Sequence, residues 1–268
     1  MHIETTHRFA ERVDNYVKYR PHYPKDVFDF LLTENIITKK SVVADVGSGT
    51  GISSEPFLKL GLTVYGIEPN TEMREAAEKL LSANTNFKSI DASAEHTTLE
   101  NNSVDVIVAG QAFHWFDKEQ TKQEFKRILK PGGYVVLLWN DRRTDSTDFL
   151  ISYEDFLQAC GTDYKQVNHK NTQEKTVLEA FFGKPYSEKW FDNFQEVDFA
   201  GLKGRVLSSS YMPNKGHENY EHMMYCLKKV FARYQQNNTV HLDYDTKIYY
   251  SSFDSLPRRE VGAQDDKK

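Results

Sequence analysis

Val43-Ala44-Asp45-Val46-Gly47-Ser48-Gly49-Thr50-Gly51 is the stretch on which the fold turns. Val42 to Val46 is short and β-branched, as a strand buried on both faces must be. An acid closes the strand, and glycines follow at 47, 49 and 51. Apolar periodicity then resumes over 52–60 and ends at Gly61, which reads as a helix with a glycine stop. A strand running through glycines into a helix brings backbone close to a ligand, where side chains would block the approach. A dinucleotide fingerprint, G-x-G-x-x-G counted from Gly47, needs glycine at position 52, where the chain has Ile52. Glycine spacing alone is a weak signal. Strand, acid, glycines and helix in this order are a strong one.

Working outward, the same alternation continues. Residues 63–67 read as a second strand and 71–83 as a helix with Thr71 as its N-cap. A weaker strand follows at 86–90 and a strongly apolar one at 104–109. A helix at 118–129 is stopped by Pro131-Gly132-Gly133, and 134–139 is a fifth strand. Strands alternating with helices predict parallel strands, right-handed crossovers and a doubly wound sheet. Ligands of such sheets bind beyond the strands' carboxyl ends, at the switch point. The second half is polar and aromatic. It predicts late strands at about 189–200 and 245–254, with a helix at 219–234 between them. The core sheet then covers about 36–141, and a helical cap covers about 142–188 and 205–240, all in a single domain, 1–268.

Composition narrows the function. The 268 residues carry 34 Lys and Arg against 39 Asp and Glu, a formal charge of −5. That balance disfavours nucleic acid held by bulk charge. Mean hydropathy is −0.65, and no apolar run approaches the roughly 18 residues of a membrane span. The two cysteines, Cys160 and Cys226, lack metal-ligand spacing and cannot make a disulfide framework. The first residues show no basic start and apolar core of a secretory signal. Together these predict a soluble, cytoplasmic protein with no metal, no membrane partner and a small-molecule substrate, as a monomer or homodimer. Aromatics make up 13% of the chain, with 15 Tyr and 17 Phe. They fit either a large α/β core or a ring-lined pocket.

The 43–51 segment resembles the first motif of class I S-adenosylmethionine-dependent methyltransferases, a Rossmann-like fold. Asn101-Asn102-Ser103-Val104-Asp105-Val106-Ile107 and Leu129-Lys130-Pro131-Gly132-Gly133 match that family's runs into its fourth and fifth strands. The resemblance spans about 40–140 and implies a seven-stranded sheet, mainly parallel, with the last strand antiparallel. It implies S-adenosylmethionine as cofactor and S-adenosylhomocysteine as product. Asp45, Gly47, Ser48, Gly49 and Gly51 are then cofactor-binding. Glu68, before Pro69, is the acid for the ribose hydroxyls, a charge-assisted pair. Met73 packs on adenine, Ser93-Ala94-Glu95 meets its edge, and Gln111 meets the methionine part. Many relatives have Asp where this chain has Ser93. Tyr19-Arg20-Pro21-His22-Tyr23-Pro24, Gln111-Ala112-Phe113-His114-Trp115-Phe116, Trp139-Asn140-Asp141-Arg142 and Ser208-Ser209-Ser210-Tyr211 make the chain similar to the trans-aconitate-methyltransferase-like subgroup of the type 11 group.

Methyl transfer from a sulfonium needs orientation and exclusion of water, and no metal. A base is needed only where the acceptor must lose a proton. His114 and Tyr19 are the catalytic candidates. His114 reads either as base or substrate contact, or as a histidine satisfied within an aromatic cluster. Tyr16 and Arg20 read as a segment folded over the cofactor. Arg20 would pair with a carboxylate of the cofactor or of an acidic acceptor, or is a surface residue before a turn. Trp115, Asn140, Arg142 and Tyr211 are candidates for substrate recognition, with Tyr211 as a lid. Three alternatives stand open: a nucleotide-dependent oxidoreductase, which the glycine spacing disfavours; a non-catalytic sensor of S-adenosylmethionine or S-adenosylhomocysteine; and a macromolecule methyltransferase, which lacks here an Asn-Pro-Pro-Tyr-like motif after the fourth strand.

Overall fold

Strands that are apolar at nearly every position must be covered on both faces, and the central strands of this sheet are. The computed structural model describes residues 13–162, 164 and 175–253. Seven strands, β1 (Val42–Val46), β2 (Thr63–Ile67), β3 (Phe87–Ile90), β4 (Val104–Gly110), β5 (Leu129–Arg142), β6 (Ser187–Val197) and β7 (Val240–Ser251), form one sheet in the order β3-β2-β1-β4-β5-β7-β6. β1 pairs in parallel with β2 and β4, β2 with β3, and β4 with β5. β7 runs antiparallel to both of its neighbours. The expected mainly parallel sheet with an antiparallel last strand is therefore what the chain forms. The order reverses between β1 and β4, which sets the switch point.

Helices α1 (Val13–Tyr19), α2 (Lys25–Thr33), α3 (Ser54–Lys59), α4 (Thr71–Leu81), α5 (Lys118–Ile128), α6 (Asp148–Cys160), α7 (Lys175–Phe182), α8 (Phe199–Leu207) and α9 (Tyr220–Tyr234) surround it. Successive residues of β4 and β5 face opposite sides, the period of two that a pleat imposes. Val106, Val108, Val136 and Leu138 join Phe28, Leu31 and Phe57 of α2 and α3 on one face. Ile107, Ala109, Leu137 and Trp139 join Phe125 and Ile128 of α5, with Leu178 and Phe181 of α7, on the other. A third cluster ties α6, α8 and α9 to the start of β7 through Tyr153, Leu202, Leu227 and Tyr244. The cap is thus α6, α8 and α9. α7 lies within the expected cap segment but packs on the sheet, because its Phe181 and Phe182 complete the aromatic layer around Phe113 and Phe253.

Several boundaries differ from the sequence reading. Asn70, not Thr71, caps α4, its Oδ1 accepting from Met73 N at 2.9 Å, and Thr71 is the first helical residue. β5 begins at Leu129, so Pro131-Gly132-Gly133 lies inside a strand with a register irregularity opposite 104–106. β6 and β7 start earlier than expected. In β7, Val240, Leu242, Tyr244, Thr246 and Ile248 are buried while the residues between them are not, a half-buried alternation that polar neighbours disguise. Among the described residues no helix is long and apolar enough to cross a membrane.

Candidate functional site

A cavity of about 760 Å³ opens beyond the carboxyl ends of the central strands, between the sheet and the cap. That size suits a small cofactor with an acceptor. Its floor is the turn after β1. Gly47 N and Ser48 N both donate to Ile67 O, at 2.8 and 3.1 Å, which fixes the turn against β2. Gly47 sits at φ +69°, and a Cβ there would fall 2.5 Å from Ala112 Cβ, so no other residue fits. Gly49 also lines the cavity, and a Cβ there would meet no protein atom within 4 Å. The space beside it is open for a ligand.

Glu68 closes β2 and is 9% exposed. Its Oε2 accepts from Gly49 N and its Oε1 from Asn70 N, both at 2.9 Å. Burial pushes its carboxyl above the usual range, and the bonds from Asn70 and Gly49 pull the other way. Each oxygen takes one backbone bond, so each keeps acceptor capacity for a ligand. Met73, Pro69, Ser93, Ala94 and Glu95 line the same end. Glu95 Oε1 accepts from Asp117 N at 2.9 Å, which anchors the 3-10 turn Phe113–Trp115 and α5 to this wall. Gln111, at φ +56°, donates through Nε2 to Asn140 O. His114 and Trp115 stand together with ring centroids 4.6 Å apart, and both line the cavity.

The structure brings most of the sequence-chosen residues to this one cavity: Arg20, Gly47, Ser48, Gly49, Glu68, Pro69, Met73, Ser93, Ala94, Glu95, Gln111, His114, Trp115, Asn140, Arg142 and Tyr211. Others lie elsewhere. Tyr19 does not line it. Its ring lies on α8, so close that a Cβ on Gly204 would be 2.0 Å from Tyr19 Cδ2. A catalytic part for Tyr19 is thus corrected to packing of α1 on α8. Asp45 is fully buried beneath the turn, and its Oδ2 accepts from Ser53 Oγ at 2.7 Å and Ser54 Oγ at 2.6 Å. It ties β1 to the start of α3 and does not reach the cavity. Gly51 faces Leu81, which is 2.6 Å from where its Cβ would be. The side chain of Tyr16 lies outside the described residues.

Asn140 lines the cavity yet its side chain is occupied. Its Nδ2 donates to Pro21 O and His22 O, and its Oδ1 accepts from Thr246 Oγ1 and Asn193 Nδ2. It clamps the 20–23 segment to β5 and β7. Arg20, held by its bond to Ser208 O at 3.0 Å, reaches the cavity from that segment. Arg142 pairs with Glu154 and lies 5.0 Å over the Tyr153 ring. Glu154 in turn accepts from Tyr164 Oη. The sequence reading missed Arg205, Glu154 and Tyr164. Arg205 carried a signal: it falls three residues after Leu202, on the buried stripe of α8, where a charge is out of place.

The family model described as a methyltransferase domain matches residues 44–137. An uncharacterized methyltransferase of Mycobacterium tuberculosis is 34% identical over 134 residues, 50% of this chain and 52% of that protein. A Saccharomyces cerevisiae protein assigned as an S-adenosylmethionine-dependent methyltransferase is 25% identical over 69% of this chain and 64% of its own length. A solved structure from Anaeromyxobacter dehalogenans, assigned as a type II methyltransferase, superposes with a TM-score of 0.63 at 18% identity, covering 88% of this chain and 98% of that one. The chain spans about half the length of the first curated relatives it matches. The superposition shows a Rossmann-like fold, and residues 44–137 within it match a methyltransferase domain.

Proposed function

We propose that this protein transfers a methyl group from S-adenosylmethionine to a small organic acceptor. The observation that supports it best is Glu68, whose carboxylate is set by Gly49 N and Asn70 N at the mouth of β2 with acceptor capacity left over. A ribose diol is the group such a carboxylate suits. The open space beside Gly49 fits the rest of the donor. S-adenosylmethionine bound here supplies an already activated methyl on a sulfonium. Glu68 accepts the ribose hydroxyls, Met73 packs on the adenine, and Ser93-Ala94-Glu95 borders its edge. Arg20 offers a guanidinium to a carboxylate, and Gln111, bonded to Asn140 O, is the contact for the methionine part in this reading.

On the acceptor side, the rings of Trp115 and Tyr211 give an apolar wall. His114 presents an imidazole to the cavity, placed to take the proton of an acceptor that loses one. Tyr19 has no place in this chemistry. Arg20, which lines the cavity, favours an acidic acceptor.

The test is turnover. The protein is incubated with methyl-labelled S-adenosylmethionine and a panel of small acids, phenols and amines, and products are read by mass. A methylated product together with S-adenosylhomocysteine, both lost in Glu68→Ala, is expected. Tight cofactor binding with no product from any acceptor would make the protein a sensor of the cofactor instead.

A further inference from the structure

The cap end of the cavity holds two guanidiniums in different circumstances. Arg142 is neutralised, since Glu154 lies against it and Tyr164 Oη holds that carboxylate in place. Arg205, also in the cavity wall, has no carboxylate partner among the described residues. Its polar neighbours are hydroxyls: Nε donates to Tyr244 Oη and Nη1 to Ser209 Oγ, both at 3.4 Å, long for charge-assisted bonds. Tyr244 spends its own proton on Gln195 Oε1 at 2.9 Å. Burial works against the charge of Arg205, and a guanidinium is too basic to shed its proton in response, so the charge stays.

A half-buried cation kept without an anion is costly, and it persists most readily where a ligand completes the pair. The neighbourhood of Arg205 is aromatic. Tyr164 and Tyr211 meet edge to face with centroids 4.9 Å apart, and both line the cavity. Tyr153 lies behind them, stacked on Phe149 and Phe156. The wall therefore offers one uncompensated positive charge surrounded by rings. Of the other cations nearby, Arg142 is met by Glu154 and Lys247 by Asp141 at 2.9 Å, while Arg20, held by Ser208 O, is left to the carboxylate of the donor.

We propose that Arg205 is the anchor of an acceptor subsite for a single carboxylate on an apolar, ring-sized body. Glu154 is its counterpart: it cancels Arg142, so that the wall answers one negative charge and not two. Arg205 acts here as a specificity-determining residue, and the subsite rests on the methyltransferase reading only in calling its occupant the acceptor.

Binding to the full chain tests it, with 3-phenylpropionate, its amide 3-phenylpropionamide and the diacid phenylsuccinate as probes. Calorimetry is run with and without saturating S-adenosylhomocysteine. The acid is expected to bind at least about tenfold more tightly than the amide, and phenylsuccinate more weakly than the monoacid. Arg205→Met should remove the preference for acid over amide, and Arg205→Lys should keep part of it, with S-adenosylhomocysteine affinity unchanged in both. Equal affinity for acid and amide on the wild-type protein overturns the proposal without any variant, as does a preference that survives in Arg205→Met or binding of neither probe. Failure of S-adenosylhomocysteine to bind would instead sink the methyltransferase reading, while the acid–amide comparison made without it still decides the subsite.

Discussion

Asp45→Asn should remove a pH dependence that the fold carries beneath its ligand turn. Asp45 is fully buried, and its carboxyl is pushed up from 3.8 to about 6, chiefly by burial, with the bonds from Ser54 and Ser53 acting against the rise. The folded protein therefore holds a proton that the unfolded chain has already lost. Stability falls as pH rises through the window between about 4 and about 6, then stays level. The gap from 3.8 to about 6, at about 1.36 kcal/mol per tenfold step, is worth about 3 kcal/mol, most of which lies between about pH 4 and about pH 7.5. Asparagine keeps an oxygen for Ser53 and Ser54 and cannot ionise. It places an amide where Asp45 Oδ1 has no partner among the described residues, a constant cost of about 1–3 kcal/mol. It also lifts one repulsion from Glu68. Urea unfolding of both proteins at several pH values reads the difference. Asn should gain about 2 kcal/mol on the wild type between about pH 4 and about pH 7.5. Parallel curves over that range would refute the reasoning and show that Asp45 is ionised at no cost.

Gly204→Ala should destabilise the protein by about 1–3 kcal/mol, because its Cβ would enter the Tyr19 ring, and Tyr19→Ala in the same chain should recover part of the loss, as a double-mutant cycle of unfolding will show. Tyr19→Phe should leave turnover unchanged. A fall of a hundredfold would restore Tyr19 to the chemistry. Asn140→Ala should cost about 2–4 kcal/mol, since Thr246 and the carbonyls of Pro21 and His22 lose their partner, and it should weaken cofactor binding by freeing the segment that carries Arg20.

The central sheet was legible because β1, β2, β4 and β5 are apolar where both faces are covered, and because glycine or proline marks their ends. β7 was half legible. His241 and Asp243 interrupt its apolar positions and hid its first residues, although neither is buried. The cofactor end of the cavity was legible for a similar reason: the glycines, Glu68 and Ser93-Ala94-Glu95 are local to strand ends, where the fold delivers them. The cap end was not. Arg205 and Glu154 come from helices about 50 residues apart, and only packing brings both to one wall. Asp45 and Asn140 show the limit in the other direction. Polar residues at strand ends look like ligand contacts, and both instead hold the frame, Asp45 through two serines and Asn140 through the backbone of Pro21 and His22.

The central claim is that Glu68 and the turn around Gly49 bind the adenosyl donor. Titration calorimetry of S-adenosylmethionine, S-adenosylhomocysteine and NAD against the wild type and Glu68→Ala tests it directly. Both adenosyl ligands should bind at micromolar levels and NAD should not, with Glu68→Ala weakening both by about tenfold or more, the loss of about 1.4 kcal/mol or more. Well-folded protein that binds neither adenosyl ligand, or binds both equally well without the Glu68 carboxylate, would contradict it.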